Sequence, residues 1–199
     1  MSAQDPADLA AYEERLRTYT VGDLQPLAAP IEIREYDPDW PRCYERATAR
    51  IRAALGSRVI RLEHAGSTSV PGLPAKPIID IVLEVPDSSD EAAYVPDLEA
   101  AGFGLRIREP DWFEHRVLRG ADPVTNLHVF PARCDEVDRM LRFRDHLRGN
   151  AADRERYASA KRELAARDWT YMQQYADAKT DVVREIMARA EAADPAGDR

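Results

Sequence analysis

The residue order predicts an α+β domain: a mixed β-sheet flanked by helices, with a C-terminal helical layer and a short N-terminal helical arm. Three observations carry this. Residues 77–85 read Pro-Ile-Ile-Asp-Ile-Val-Leu-Glu-Val, an almost unbroken apolar run of the kind a central strand shows when both faces are covered. Shorter stretches at 103–108, 114–119 and 125–130 have strand character, bounded by turn residues. From Asp135 onward the apolar side chains recur at helical spacing, which implies helices packed over one face of the sheet.

Taken in order, residues 5–19 form a helix with Leu9, Tyr12 and Leu16 on one side. Residues 20–30, with Gly22, Pro26 and Pro30, read as a connector. Ile31-Glu32-Ile33-Arg34-Glu35-Tyr36 alternates with period two, the pattern of an edge strand. Asp37-Pro38-Asp39-Trp40-Pro41 is a turn leading into a helix, with Asp39 able to cap and Pro41 tolerated in the first turn. Trp40, Cys43, Tyr44, Ala47, Ile51 and Leu55 keep helical spacing until Gly56, which stops the helix. A strand is expected at 58–63, a loop at 64–77, the central strand at 77–85 and a helix at 91–101 closed by Gly102. Helices at about 135–148, 151–167 and 168–191 complete the chain. The expected organisation is an arm and connector over 1–30, the main domain over 31–192 and a frayed tail over 193–199.

The bulk properties narrow the function. The 199 residues suit one domain with an appendage, large enough to bury its own core without staples. A net charge of −8 argues against a protein that coats nucleic acid, which needs a basic field. Cys43 and Cys134 lie far apart and offer neither a disulfide framework nor a cysteine-rich zinc site. The first residues lack a basic start followed by an apolar run, and no apolar stretch nears the roughly 20 residues that span a bilayer. The expectation is a cytoplasmic protein with no membrane partner.

Chemistry concentrates in His64-Ala65-Gly66-Ser67-Thr68-Ser69-Val70-Pro71-Gly72-Leu73-Pro74-Ala75-Lys76-Pro77-Ile78-Ile79-Asp80. A loop this rich in glycine and hydroxyls can aim several N–H and O–H groups at one anion. Asp80 sits inside an otherwise apolar strand, where a carboxylate needs a cation, either an arginine or an oxygen-seeking Mg²⁺. In the strand 125–130, Leu127 and Val129 face one way, and Asn126, His128 and Phe130 the other. His128 thus faces the polar side of the sheet as a candidate base or ligand, or as a histidine that only hydrogen-bonds a neighbour. His64 could order the loop through a hydrogen bond. Arg106, Arg108, Glu114 and Arg116 lie on polar faces, with Arg116 in reach of a phosphate or simply solvated; His115 and His146 receive no role.

The cations form a second constellation. Of 28 basic side chains only Lys76, Lys161 and Lys179 are lysines. Lys179 falls inside the apolar stripe of the last helix, Lys161 lies between Tyr157 and Leu164, and Arg144 follows Met140 and Leu141. A cation aimed at a core needs an anionic partner or must reach solvent. These three could neutralise a polyphosphate, or pair internally with Asp145, Glu163 or Asp177. Lys76 could contact the same phosphate or sit at the surface.

The run from Glu63-His64 to Asp80, with Tyr36-Asp37-Pro38-Asp39-Trp40, Asn126-Leu127-His128-Val129-Phe130, Phe143-Arg144-Asp145 and Lys161-Arg162-Glu163-Leu164, resembles the GrpB family over roughly residues 31–190. The resemblance implies the nucleotidyltransferase fold and Mg²⁺-dependent transfer of a nucleoside monophosphate from ATP or another triphosphate to a small acceptor. In that scheme Gly66, Ser67 and Thr68, with Lys76, Arg144, Lys161 and Lys179, hold phosphate. Asp80 holds metal, and His128 activates the acceptor in the place of a third carboxylate. The pattern departs from that superfamily at one point: the second acid of an Asp-x-Asp pair is replaced by Val82. Glu84, about 7 Å further along the strand, is the remaining candidate metal ligand on that face, or a solvated strand end. The rival expectation is a non-catalytic nucleotide- or anion-binding module with a protein partner, because GrpB-like domains occur fused to a coenzyme A-pathway kinase. A small-molecule sensor is a third.

Overall fold

A computed structural model describes residues 6–193 of the chain. Five strands form one mixed sheet in the order β1-β2-β5-β4-β3: β1 (Arg61–Ala65), β2 (Ile79–Val85), β3 (Phe103–Glu109), β4 (His115–Ala121) and β5 (Val124–Pro131). β2 and β5 are parallel and all other neighbours antiparallel. β2 is flanked on both edges and its side chains are buried on both faces from Ile81 to Val85. That is why its sequence is continuously apolar rather than alternating.

One face of the sheet presents Ile79, Ile81, Leu83 and Val85 of β2, Leu127 and Val129 of β5, and Leu118 of β4. It packs on α2 (Trp40–Leu55), through Trp40, Ala47, Ile51 and Leu55, and on Leu98 of α3 (Val95–Ala100). The helical spacing of these α2 residues supplies the stripe that the sheet needs. The other face carries Asp80, Val82, Asn126, His128 and Phe130, and lies beneath the C-terminal layer: α4 (Asp135–Gly149), α5 (Ala151–Ala165), α6 (Met172–Asp177) and α7 (Thr180–Ala193). Val82 and Phe130 are covered by Cys134, Val137 and Leu141 at the start of α4. Farther along, Val70 and Leu73 of the β1–β2 loop pack with Leu147, Tyr157 and Ile186.

Several elements differ from the sequence expectation. The strand at 31–36 reduces to one antiparallel bridge between Arg34 and Ala75; Ile31 is instead buried against Leu164 and Tyr175, so this segment clamps the loop to the helical layer. Residues 56–58 form a 3-10 turn, and β1 begins at Arg61 instead of residue 58. The helix expected at 91–101 divides into a 3-10 turn at 91–93 and α3, because Pro96 lacks the N–H that would continue the earlier turn. Asp39 makes no side-chain cap; its own N–H donates to Asp37 Oδ1 at 2.8 Å. The helix expected at 168–191 breaks between Asp177 and Thr180. Tyr175 before the break packs with Ile31 and Leu164, while Ile186 after it packs with Leu147 and Tyr157, so the two segments serve different clusters.

The arm is joined to the body. α1 (Pro6–Tyr19) ends where Thr20 bridges Ile107 and Val21 N donates to Arg106 O at 2.8 Å, on the edge strand β3. Tyr12 donates to Asp177, and Tyr171 to Glu13, at 2.9 and 2.8 Å. The expected tail lies, from residue 194, outside the described residues.

Candidate active site

The β1–β2 loop starts at Gly66, whose φ of 65° leads into a 3-10 turn over Ser67–Ser69. A Cβ added at Gly66 would lie 2.3 Å from Asp80 Oδ2 and 2.8 Å from Asp80 Cβ. Glycine is therefore required here for both backbone angle and clearance. The turn is braced from inside. Thr68 Oγ1 donates to Ile78 O at 3.1 Å, and Ser69 Oγ to Gly66 O at 2.6 Å. His64 Nε2 meets Thr68 Oγ1 at 3.1 Å, and its ring stacks on Tyr44 at 4.7 Å. Burial pushes the His64 imidazole down to about 4, so it remains a neutral strut at physiological pH. Thr68 thus uses its hydroxyl proton within the loop, whereas Ser67 faces the cavity.

Strand register aligns the chemistry. Asp80 of β2 is opposite Asn126 of β5, which is opposite Arg119 of β4; in the next row stand Val82, His128 and Val117. Asn126 Nδ2 donates to Asp80 Oδ1 at 2.9 Å, and His128 Nε2 lies 3.8 Å from the same oxygen. Burial alone would raise the Asp80 carboxyl. The neighbouring His128 ring, the Asn126 amide and the Lys76 ammonium outweigh it and hold the group below the ordinary range.

Above these rows a cavity of about 370 Å³ opens between the sheet and the helical layer. Its lining brings together Gly66, Ser67, Thr68, Lys76, Asp80, His128, Arg144, Lys161 and Lys179, to which it adds Arg119 and Arg139. Six cationic side chains therefore face one carboxylate, Asp80. Arg144 is held by Asp145 and Glu63 at 2.8 and 3.1 Å, and Arg139 by Glu136. Lys76, Arg119, Lys161 and Lys179 make no ion pair among the described residues. Lys161, only 3% exposed, donates to Pro74 O and lies over the Tyr157 ring. Lys76 reaches Met172 Sδ at 2.8 Å, and the Lys76 and Lys179 ammonium groups lie 5.2 and 4.8 Å from the centre of the Tyr175 ring. Burial, reinforced by Lys179, pushes Lys76 down to about 8 and Lys161 to about 7.

Glu84 is placed elsewhere. The residue is 4% exposed, and its carboxylate accepts from Cys134 N at 3.1 Å, at the N-terminus of α4. It satisfies a helix end that would otherwise be orphaned. Val82 is covered by α4. Among the described residues no three of His, Cys, Asp and Glu are grouped as a metal set. This donor set does not fit a two-metal centre. It fits at most one Mg²⁺, which commonly takes one carboxylate and completes its shell with phosphate oxygens and water. Arg116, offered by the sequence as a phosphate contact, instead pairs with Glu91 and Glu114.

Besides Arg119 and Arg139, two residues of this region escaped the sequence reading. His115 Nε2 lies 3.1 Å from His128 Nδ1, and His115 Nδ1 lies 2.7 Å from Glu109 Oε2. Burial pushes His115 down to about 4. The strand alternation 115-117-119 could have placed His115 on the polar face, but its partner comes from β3, across a turn in which Phe113 and Glu114 have positive φ. A second cavity, of about 730 Å³, shares Ile107, Arg119, Met172 and Gln173 with the first and is walled by the connector after α1.

Comparison with known proteins places this geometry in context. The family described as GrpB protein matches residues 30–189. A UPF0157 protein of Halalkalibacterium halodurans is 58% identical over 180 residues, covering 90% of this chain and 92% of its own. A dephospho-CoA kinase of Mycobacterium leprae is 32% identical over 91% of this chain but only 52% of its own length. The crystal structure of the conserved protein GrpB from Enterococcus faecalis superposes with a TM-score of 0.68 at 28% identity, covering 80% of this chain and 96% of that one.

Proposed function

The chain belongs to the GrpB family, and on that premise we propose that its cavity binds a nucleoside triphosphate, with ATP the first candidate, and transfers the nucleotidyl group to a small acceptor. The observation that carries this reading is the set of four cations without carboxylate partners gathered around one carboxylate. Lys161 is buried and Lys76 and Lys179 are half-buried without an ion-pair partner, which is costly, and a polyphosphate supplies the missing charge. Ile107, Val117, Met140 and Phe143 line the same cavity and offer a flat base an apolar surface. A dephospho-CoA kinase among the relatives agrees with a nucleotide-related role.

In this reading Ser67 and the loop amides orient a phosphate, and the lysines neutralise it. Asp80 and the phosphate oxygens would hold Mg²⁺, whose charge offsets that of the reacting phosphates. His128 takes the proton of the acceptor, and the adjoining cavity behind Arg119 admits that acceptor.

A non-catalytic anion- or partner-binding module is the second reading, favoured by the buried Val82 and the structural use of Glu84. Calorimetry with ATP, with and without Mg²⁺, separates them. We expect ATP binding weakened at least ~10-fold in Lys161→Ala/Lys179→Ala, about 1.4 kcal/mol, and a Mg²⁺-dependent increment lost in Asp80→Asn. ATP binding of equal strength in the double variant would remove the polyphosphate site. A Mg²⁺-independent affinity, unchanged in Asp80→Asn, would select the module.

A further inference from the structure

The residues behind His128 form a directed chain that leaves one assignment of protons. Glu109 Oε2, His115 and His128 follow one another at 2.7 and 3.1 Å, and the two rings are nearly coplanar, 8° apart. His115 is 4% exposed, and its ring also stacks on Phe130 at 4.6 Å and meets the Trp112 edge at 4.9 Å. It therefore has little freedom to turn. Burial keeps it neutral, so one of its two nitrogens carries the proton. A carboxylate can only accept, which puts that proton on Nδ1, toward Glu109. The His115 Nε2 then has only a lone pair and must accept, so the proton between the two rings belongs to His128 Nδ1.

We propose that Glu109 and His115 are positioning residues that fix His128 as the Nδ1–H tautomer, so that its Nε2 presents a bare lone pair to the cavity. The proposal rests on the nucleotidyl-transfer reading for its use but not for its geometry. His128 Nε2 stands 3.8 Å from Asp80 Oδ1, beyond hydrogen-bond reach, while Asp80 Oδ1 takes its hydrogen bond from Asn126. In the transfer step the acceptor's O–H or N–H bond breaks and its proton passes to His128 Nε2. The freed lone pair forms the bond to the α-phosphorus of the triphosphate, and pyrophosphate leaves with the electron pair of the broken P–O bond. The imidazolium so formed donates to His115 through Nδ1 and faces the Asp80 carboxylate through Nε2. With the opposite tautomer the same ring would offer a proton to the acceptor and could not begin the reaction as base.

The test reads the tautomer directly and needs no substrate. Long-range proton–nitrogen correlation spectra of the full chain, labelled with ¹⁵N-histidine and recorded at pH 8.5, should show Nδ1–H on both His115 and His128. In His115→Phe, which keeps a flat ring against Phe130, His128 should shift toward the Nε2–H form that free imidazole side chains favour in water. Glu109→Ala, at the end of an edge strand, is the second variant and should weaken the preference at both rings. Wild-type His128 carrying Nε2–H, or a His128 tautomer unmoved in both variants, overturns the inference. Failure of ATP to bind while the Nδ1–H pattern holds would overturn the nucleotide reading and leave the relay standing.

Discussion

Gly66 tolerates nothing larger than hydrogen, and the site depends on that. Its φ is positive, and the space a methyl would fill is taken by the Asp80 carboxylate. Gly66→Ala should cost about 2–4 kcal/mol, adding the strain of a left-handed alanine to overpacking against Asp80. Urea unfolding measures it, and a loss under ~0.5 kcal/mol would show that Asp80 swings aside freely. Gly72, also at positive φ, meets nothing within 4 Å of such a methyl, so Gly72→Ala carries only the backbone term and serves as the control. The two glycines look alike in the sequence. Only one of them touches the carboxylate.

Glu84 shows how one strand serves two masters. Asp80, Val82 and Glu84 share a face of β2, yet α4 begins directly over the latter pair, and the carboxylate of Glu84 closes the first turn of that helix through Cys134 N. Glu84→Gln keeps an acceptor but loses the charge that favours a helix N-terminus. We expect a stability loss of about 1–2 kcal/mol with the Mg²⁺ dependence of ATP binding unchanged. The reverse pattern, intact stability with lost Mg²⁺ dependence, would return Glu84 to the metal site. The break between α6 and α7 has a comparable logic: it sets Lys179 at a helix junction beside Tyr175 rather than within a continuous apolar stripe.

The chain as a whole is acidic, at −8, while its cavity is strongly cationic, so the interior opposes the exterior in sign. Lys76 and Lys161 lie near 8 and 7, against an ordinary 10.5. Between about pH 7 and 10.5 the unfolded chain therefore holds more protons than the folded one, and stability contributed by these groups rises with pH across that window. Below about 7 both are charged in the fold and their full burial cost is present. A bound polyanion reverses this by favouring the ammonium forms. ATP binding at pH 8 should take up roughly one to two protons, and its affinity should fall as pH rises from 7 to 9. Calorimetry in two buffers of different ionisation enthalpy checks it. An enthalpy independent of buffer would mean the lysines do not meet the phosphates.

Residue order alone was enough for the sheet-and-helix class, the central strand, the helical C-terminal layer and the loop ending at Asp80, because these rest on local periodicity and on turn residues with short reach. The polar face of the strand 125–130 was also legible, since alternation in a strand leaves only two faces. The chain as folded had to settle which partners each charge meets. Arg144 found Asp145 and Glu63, Lys161 found the Pro74 carbonyl and the Tyr157 ring, Glu84 found a helix end, and His115 acquired Glu109 on one side and His128 on the other. Those outcomes depend on strand register and on where helices dock, contacts between residues distant in sequence. Side-chain chemistry restricts what each group can do; only the packing of remote segments chooses the neighbour with which it does it.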